Sequence, residues 1–141
     1  MTAFAPGARV AQLRAAQQRY QTDAVLSATP ERLVTMLYDR LLLDVERAEA
    51  AQLSGNWQDA STHLVHAQAI VAELNASLAD TWDGSASLRA LYVHLTTTLI
   101  GANIGRDPQR TRECRDLIAP LREAWHGAAQ AAAPAPVHAH A

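Results

Sequence analysis

The chain has 141 residues and a formal net charge of -2, which is long enough to bury a core without a disulfide; its single cysteine, Cys114, fits a reducing compartment. Its 12 basic residues are scattered arginines, and this argues against nucleic acid or an acidic membrane surface as a partner. No stretch approaches the roughly 20 apolar residues of a membrane span or the apolar core of a signal peptide, so we expect a soluble cytoplasmic protein without membrane insertion.

The first predicted helix begins at Pro30 and runs to about Leu53. Thr29 can cap its first amides, Pro30 presets φ at the first helical position, and Glu31 suits the positive end of the helix dipole. The apolar residues of this segment recur at spacings of three and four, which makes one stripe that faces a core. The stripe consists of Val34, Leu37, Tyr38, Leu41, Leu42, Val45 and Ala48.

A second and a third helix follow with the same kind of pattern. Residues 54–56 end the first helix and cap the second, whose three-four spacing is typical of antiparallel bundle neighbours. Ser85 is predicted to cap the third helix, and Gly105 to end it. The core face of the second helix is Trp57, Ala60, Leu64, Ala67, Val71, Leu74 and Leu78. The core face of the third is Leu88, Leu91, Tyr92, Leu95, Leu99 and Ala102.

A fourth helix begins at Asp107 and Pro108, and Pro120 within it predicts a kink. Its stripe is Cys114, Leu117, Ile118, Leu121 and Trp125. Four helices joined by short turns predict an all-α fold, an antiparallel up-down-up-down four-helix bundle over residues 29–128. Residues 1–28 form an N-terminal extension that has room for a short helix, and the Ala-, Pro- and His-rich residues 129–141 are predicted to be a disordered tail.

The second and third helices differ from the other two in charge. The second carries only Asp59 and Glu73 and the third only Arg89, so the third is apolar nearly all round. Such a helix is normally buried on both sides, yet a four-helix bundle leaves its outer side open. We therefore predict a groove that binds an amphipathic partner segment as a helix. Its predicted residues are Val65, Ala69 and Ala72 on the second helix, and Ala90, Val93, Thr97, Ile100 and Ile104 on the third.

A second contact strip is predicted on the otherwise charged outer face of the first helix, at Met36 and Leu43. Other occupants of the groove stay open at this point. Residues 1–28 could fold back over it until a partner displaces them, or the third helix could form a homodimer, in which case the protein is a structural bundle. We expect a monomer or a weak homodimer.

Residue patterns that support catalysis are missing from the sequence. It has no Gly-rich phosphate loop, nucleophile elbow or convergent carboxylate pair, so we expect no enzyme activity and no cofactor. His63 and His66 leave a metal-binding bundle as an alternative, but the core stripes lack the inward Glu residues of di-metal bundles, so we expect no metal site. Tyr38 and Tyr92 are expected to be packing residues with satisfied hydroxyls.

Several segments, in order, resemble one family. Tyr20 is followed at residues 27–39 by SATPERLVTMLYD, then at 67–75 by AQAIVAELN and at 91–92 by LY. The pattern continues at 102–104 with ANI, at Asp107, and at 121–125 with LREAW. Together they resemble the flagellin export chaperones, the FliS family, over residues 20 to 127. Arg40 departs from the pattern, because the family often has Gly there.

The resemblance implies a helical bundle that binds the disordered C-terminal segment of newly made flagellin in the cytoplasm. It further implies that the protein prevents premature filament assembly and delivers flagellin to the flagellar type III export gate. The family likeness also implies that an N-terminal segment near Tyr20 can occupy the binding site in the free protein. Whether regulatory proteins of flagellar gene expression also dock is left open.

Overall fold

Local sequence signals set the bounds of the long helices in the computed structural model, which describes residues 11–16 and 29–132. The long helices are α1 (Pro30–Leu53), α2 (Trp57–Ala76), α3 (Ser85–Ile104) and α4 (Pro108–Ala132). The described residues fall into two compact units that divide between Leu33 and Val34. In the first unit, residues 11–16 are helical and exposed. Tyr20, the rest of the N-terminal extension and residues 133–141 of the predicted tail lie outside the described residues.

Three of the long helices begin with the side-chain caps that their sequences offer. Thr29 Oγ1 accepts a hydrogen bond from the Arg32 amide at 3.2 Å, and Asn56 Oδ1 accepts one from the Asp59 amide at 3.2 Å. At the start of α4, Asp107 plays the same part. Each cap satisfies an amide that the helix itself leaves without a carbonyl partner.

The start of α3 differs from its prediction. Its N-cap is Gly84, which offers no side chain, and Ser85 is the first helical residue. Ser85 is buried and its hydroxyl donates instead to the Asp80 carbonyl, at 3.5 Å. Ser85 therefore anchors the preceding turn rather than capping the helix, and its predicted role was wrong.

The last helix is longer than predicted. It passes through Pro120 without a break and continues to Ala132, so residues 129–132 are helical although the sequence placed them in the tail. Proline removes one backbone donor from a helix interior, but side-chain packing on both sides of Pro120 keeps the chain helical. Ile118 is fully buried just before it, and Trp125 packs against the core after it.

Contacts between helices run in the order of an antiparallel bundle. Asp44 of α1 meets His66 of α2, while Asn103 of α3 donates to Ser61 of α2 at 3.2 Å. On the other side, Arg122 of α4 donates to Asp39 of α1, at 2.6 Å. Helices that are neighbours in sequence are thus neighbours in space, and α4 closes the ring against α1. The predicted up-down-up-down four-helix bundle is confirmed.

The predicted stripes form the core almost residue for residue. Its buried apolar members are Tyr38, Leu41, Val45, Ala48, Leu64, Ala67, Ile70, Val71, Leu74, Leu88, Tyr92, Leu95, Leu99, Ala102, Cys114 and Ile118. Only Ile70 was absent from the predicted stripes. Burial of this many large side chains supplies the main driving force for folding.

Two polar contacts cross the bundle diagonally through this core. The hydroxyls of Tyr38 on α1 and Tyr92 on α3 are buried and bonded to each other at 2.7 Å. Near the other end, the buried amide of Gln52 donates to the Ala102 carbonyl at 3.2 Å and accepts from Thr111 Oγ1 at 2.7 Å. Because each group finds its partner inside the protein, these polar residues fix the register of the helices at little cost.

Two acidic residues of α1 are buried at its flanks. Asp44 is fully buried and bonds to His66 of α2 and to Arg40 one turn earlier. Glu49 is nearly buried, with Arg112 and Arg115 of α4 close to its carboxylate. Each carboxylate sits at the flank where α1 meets a neighbour, so a hydrogen-bonding side chain from that neighbour, His66 or an arginine of α4, replaces the lost hydration.

Candidate functional site

An exposed apolar surface runs along the outer sides of α2 and α3. The exposed fractions of its large side chains are 54% for Val65, 62% for Val93, 40% for Ile100 and 81% for Ile104. The smaller residues predicted to line it, Ala69, Ala72, Ala90 and Thr97, are exposed as well. We refer to these eight residues as the α2–α3 groove. Exposed apolar side chains at helical spacing on two neighbouring helices make this surface the candidate binding site.

The groove is uncharged along α3. Between Arg89 and Arg106 that helix carries no Asp, Glu, Lys or Arg. Arg89 itself is engaged at the far end, where it donates to the Leu78 carbonyl at 2.8 Å and pairs with Asp80. A partner that docks here therefore has no strongly hydrated group of α3 to desolvate between those two arginines.

Three consecutive threonines on α3 contribute to the apolar character of the groove. The hydroxyls of Thr96, Thr97 and Thr98 each donate to the carbonyl four residues earlier, at distances of 2.9, 3.0 and 2.8 Å. Because these hydroxyls are satisfied within the helix, the side chains present mainly methyl groups to their surroundings. Thr97 therefore acts in the groove as a short apolar residue.

A cavity lies at each end of the bundle. One of ≈ 500 Å³ is lined by α1, the start of α2 and the end of α3, at Gln52, Trp57, Gln58, Ala60, Ser61, Asn103, Ile104 and Arg106. A smaller one of ≈ 180 Å³ is lined by Val34, Leu74, Ser77, Leu78, Ala79, Trp82, Tyr92 and Trp125. The first adjoins the groove at Ile104, whereas the second opens onto the aromatic part of the core.

Trp82 shapes the smaller cavity from the turn between α2 and α3. Its ring folds back over Gly84 so closely that a Cβ at Gly84 would lie 2.7 Å from it, and only glycine leaves that space. The Trp82 and Trp125 rings lie 6.4 Å apart, and Trp125 in turn stacks on Tyr38 at 6.4 Å. Trp82 remains half exposed, so this end of the bundle presents an aromatic edge to solvent.

The two residues predicted as a second contact strip differ in exposure. Leu43 is 36% exposed on α1, whereas Met36 is half-buried. Met36 therefore offers a partner only part of its side chain. The strip stays a prediction that rests mainly on Leu43.

Electrostatic perturbations lie in the core and at the α1–α4 boundary, away from the groove. Burial raises the pKa values of Tyr38 and Tyr92, and burial together with Glu113 raises the pKa of Cys114 to about 12. Burial by itself would raise the pKa of Asp39, but hydrogen bonds and charges from His126 and Arg122 hold it below its ordinary value.

None of these perturbed groups forms a nucleophile–base pair, and we assign them structural roles. Across the described residues, His, Cys, Asp and Glu form no group of three or more placed to hold a metal ion, so His63 and His66 belong to no such group. In the same part of the chain, no helix has the length and apolarity needed to cross a bilayer.

A family model described as "Flagellar protein FliS" matches residues 12–132. The chain belongs to the FliS family. The flagellar secretion chaperone FliS of Bacillus subtilis (strain 168) is 33% identical over 111 residues, which cover 79% of this chain and 84% of that FliS. The flagellar secretion chaperone FliS of Escherichia coli (strain K12) is 31% identical over 106 residues, which cover 73% and 78%.

A solved structure described as a flagellar chaperone from bacteria has the same fold as this FliS-family chain. The two superpose with a TM-score of 0.67 at 21% identity, over 83% of this chain and 97% of the other. The likeness confirms the all-α fold, and the family matches confirm the resemblance found in the sequence. FliS relatives are named as chaperones of flagellar secretion, so this chain is a member of a chaperone family.

The residues predicted to line the groove of this FliS-family member are exposed, but the sequence analysis missed what lies beside them at the end of α3. The guanidinium of Arg106 lies over the Trp57 ring at 5.4 Å, which joins the turn after α3 to the start of α2. Trp57 had been placed on the core stripe and is half-buried there. Arg106 follows Gly105, the residue that was expected to end the helix. Hydrophobic periodicity predicts positions within a helix, so it could not predict where the side chain of this turn residue lies.

Proposed function

We propose that this protein is the cytoplasmic chaperone of flagellin and binds the disordered C-terminal segment of flagellin in the α2–α3 groove. Binding there keeps flagellin from polymerising prematurely and holds it for delivery to the flagellar type III export gate. The observation that carries the proposal is the exposed, uncharged apolar face of α3 beside the small residues of α2. Membership of a family of flagellar secretion chaperones supports it.

The mechanism is burial of the apolar face of the flagellin segment in the groove instead of in the filament. A disordered segment that folds into an amphipathic helix loses conformational entropy, and apolar surface buried in the groove offsets that loss. Small residues on α2, such as Ala69 and Ala72, let a docked helix approach closely, while Val93 and Ile100 supply larger contacts from α3. The same face of flagellin is then unavailable for contacts within a filament.

Calorimetry with a peptide of the flagellin C-terminal segment tests the proposal. We expect one-to-one binding with a negative heat-capacity change, because apolar surface is buried. Replacing Val93 by Asp should weaken binding about tenfold or more, since a carboxylate would have to be desolvated against the docked helix.

Leu53 provides the matched control, because it is 63% exposed on α1 while Val93 is 62% exposed on α3. Leu53→Asp should bind the peptide as the unsubstituted protein does. Equal affinity of the folded Val93→Asp variant would remove the groove from the proposal. A stable dimer that flagellin does not dissociate would assign the surface to self-association instead.

A further inference from the structure

Helices α1 and α3 end in the same hydrogen-bonded turn. After α1, the Gly55 amide donates to the Gln52 carbonyl at 3.1 Å and the Asn56 amide to the Ala51 carbonyl at 2.8 Å. After α3, the amides of residues 106 and 107 repeat this pattern to residues 103 and 102, at 3.3 and 3.0 Å. Both turns are Schellman motifs, in which the residue after the helix takes a left-handed conformation.

Different residues occupy the left-handed position of the two turns. It is Gly55 with φ 76 after α1, but Arg106 with φ 49 after α3. Glycine adopts this conformation without steric cost, whereas an L-residue with a long side chain meets a clash between its Cβ and the backbone. Arg106 thus holds a position where glycine would stabilise the fold, and strained residues of this kind concentrate at functional sites.

The charge of Arg106 is not neutralised within the bundle. Its guanidinium lies on the Trp57 ring, and among the described residues no carboxylate oxygen forms an ion pair with it. By contrast, Arg89 pairs with Asp80 and Arg110 pairs with Asp107, which are the other arginines nearest the two ends of α3. Stacking on an indole orients the guanidinium and leaves its N–H groups available to a ligand.

The Arg106 side chain also borders the ≈ 500 Å³ cavity, which holds neutral hydrogen-bonding groups. Asn103 donates there to Ser61 at 3.2 Å, and Ser61 and Gln58 both line the wall. The groove reaches this cavity at Ile104, the last residue of α3. The groove itself therefore ends beside the cavity, because α3 stops here and the turn into α4 begins.

We propose that Arg106 and this cavity bind the C-terminal carboxylate of the segment that docks in the α2–α3 groove. The inference rests on the proposed function, because it assigns a direction to the same docked helix. A guanidinium can form two parallel hydrogen bonds to a carboxylate, and a cation at the C-terminal end of a helix also complements its dipole. An acidic side chain within the helix fits less well, since the groove does not extend past Ile104.

The test compares two forms of the flagellin C-terminal peptide, one with a free carboxylate and one with an amide. The unsubstituted protein should bind the free acid about fivefold more tightly than the amide, the effect of one partly exposed ion pair. Arg106→Gln should lose about the same factor for the free acid and less than about twofold for the amide. Raising the salt concentration should reduce the difference between the two peptides.

Two further variants separate the site from the fold and from general charge. Arg106→Gly fits the left-handed turn without strain, so it should lose the same fivefold or so in affinity for the free acid while its unfolding temperature stays equal or rises. Arg110→Gln removes a neighbouring charge that already pairs with Asp107 and should leave the preference for the free acid intact.

Each contrary outcome has a separate meaning. Equal binding of both peptides to the unsubstituted protein would overturn the carboxylate site while leaving the groove in place. An equal loss of both peptides in Arg106→Gln would assign the cation to an acidic side chain instead, and that also overturns the proposal. If neither peptide binds, both the carboxylate site and the proposed function are overturned.

Discussion

The hydroxyls of Tyr38 and Tyr92 are the clearest case of two residues that depend on each other. Their oxygens lie 2.7 Å apart in the core, and each hydroxyl is the hydrogen-bond partner of the other. Removing one hydroxyl leaves the other buried with fewer hydrogen-bond partners. Removing both leaves no buried hydroxyl unsatisfied.

We expect Tyr38→Phe to lower the free energy of unfolding by about 1 kcal/mol, because it leaves the buried Tyr92 hydroxyl without its partner. Tyr92→Phe should cost about the same, because the Tyr38 hydroxyl loses the same bond. The double variant should cost no more than Tyr38→Phe alone, which urea unfolding of all four proteins can measure. Strict additivity of the two single effects would contradict the coupling.

The sequence predicts which apolar residues are buried, but it does not predict which polar residues are buried. A three-four spacing places Leu41 and Val45 on the core face, because apolar side chains are stable only when they are buried. Asp44 between them can face solvent or a partner on the next helix, and that choice depends on His66, which is 22 residues away in the chain. Local periodicity contains no information about such a partner.

Among the elements, α1 and α2 are joined by the buried carboxylate of Asp44. We expect Asp44→Ala to lower the free energy of unfolding by about 2 kcal/mol, because its charge-assisted bonds to Arg40 and His66 are lost within a packed flank. Thermal unfolding measured at neutral pH checks the value.

Glu46 supplies the comparison for that experiment, since it is an exposed carboxylate on the same helix. Glu46→Ala should change the free energy of unfolding by less than about 0.5 kcal/mol. A similar cost for both variants would mean that Asp44 contributes only its charge and not its buried bonds.

The apolar exposure along α3 could be predicted because it is a property of the whole helix. A helix with one charged residue in its twenty, as in α3, cannot be solvated all round, and the bundle topology leaves its outer side uncovered. The left-handed Arg106 could not be predicted, because Gly105 beside it is the residue that helix ends favour. The position of Arg106 at the end of the groove depends on the backbone conformation of the turn, and the amino-acid composition does not determine that conformation.

Across the whole molecule, Cys114 reports how often the bundle opens. Its thiol is fully buried and its pKa is raised to about 12 by burial, so almost no thiolate exists in the native state at pH 8. We expect a disulfide reagent to label the native protein on the order of a thousandfold more slowly than the denatured protein.

Labelling of the native protein should follow the population of opened molecules, so Asp44→Ala should label faster than the unsubstituted protein and Glu46→Ala should not. Absorbance of the released thiol-reagent product gives both rates. Rapid labelling of the native, unsubstituted protein would show that Cys114 is reachable without unfolding.

The fold of the molecule was predictable because its four stripes agree with its caps and turns, and each level of the sequence favours the same bundle. The helix lengths also leave little choice of topology, since short turns force neighbours to be antiparallel. The exception, α4, runs past its predicted end because Ala-rich sequence is compatible with both helix and tail.

The three tryptophans give this bundle two separate optical signals. Trp57 lies under Arg106 at one end, and Trp82 and Trp125 lie together at the other, separated from it by the 20 residues of α2, or about 30 Å. Emission from the two ends can be told apart by replacing Trp57 with Phe. In a rapid-mixing experiment with the proposed partner peptide, the unlabelled protein would thus record which end of the bundle the peptide reaches first.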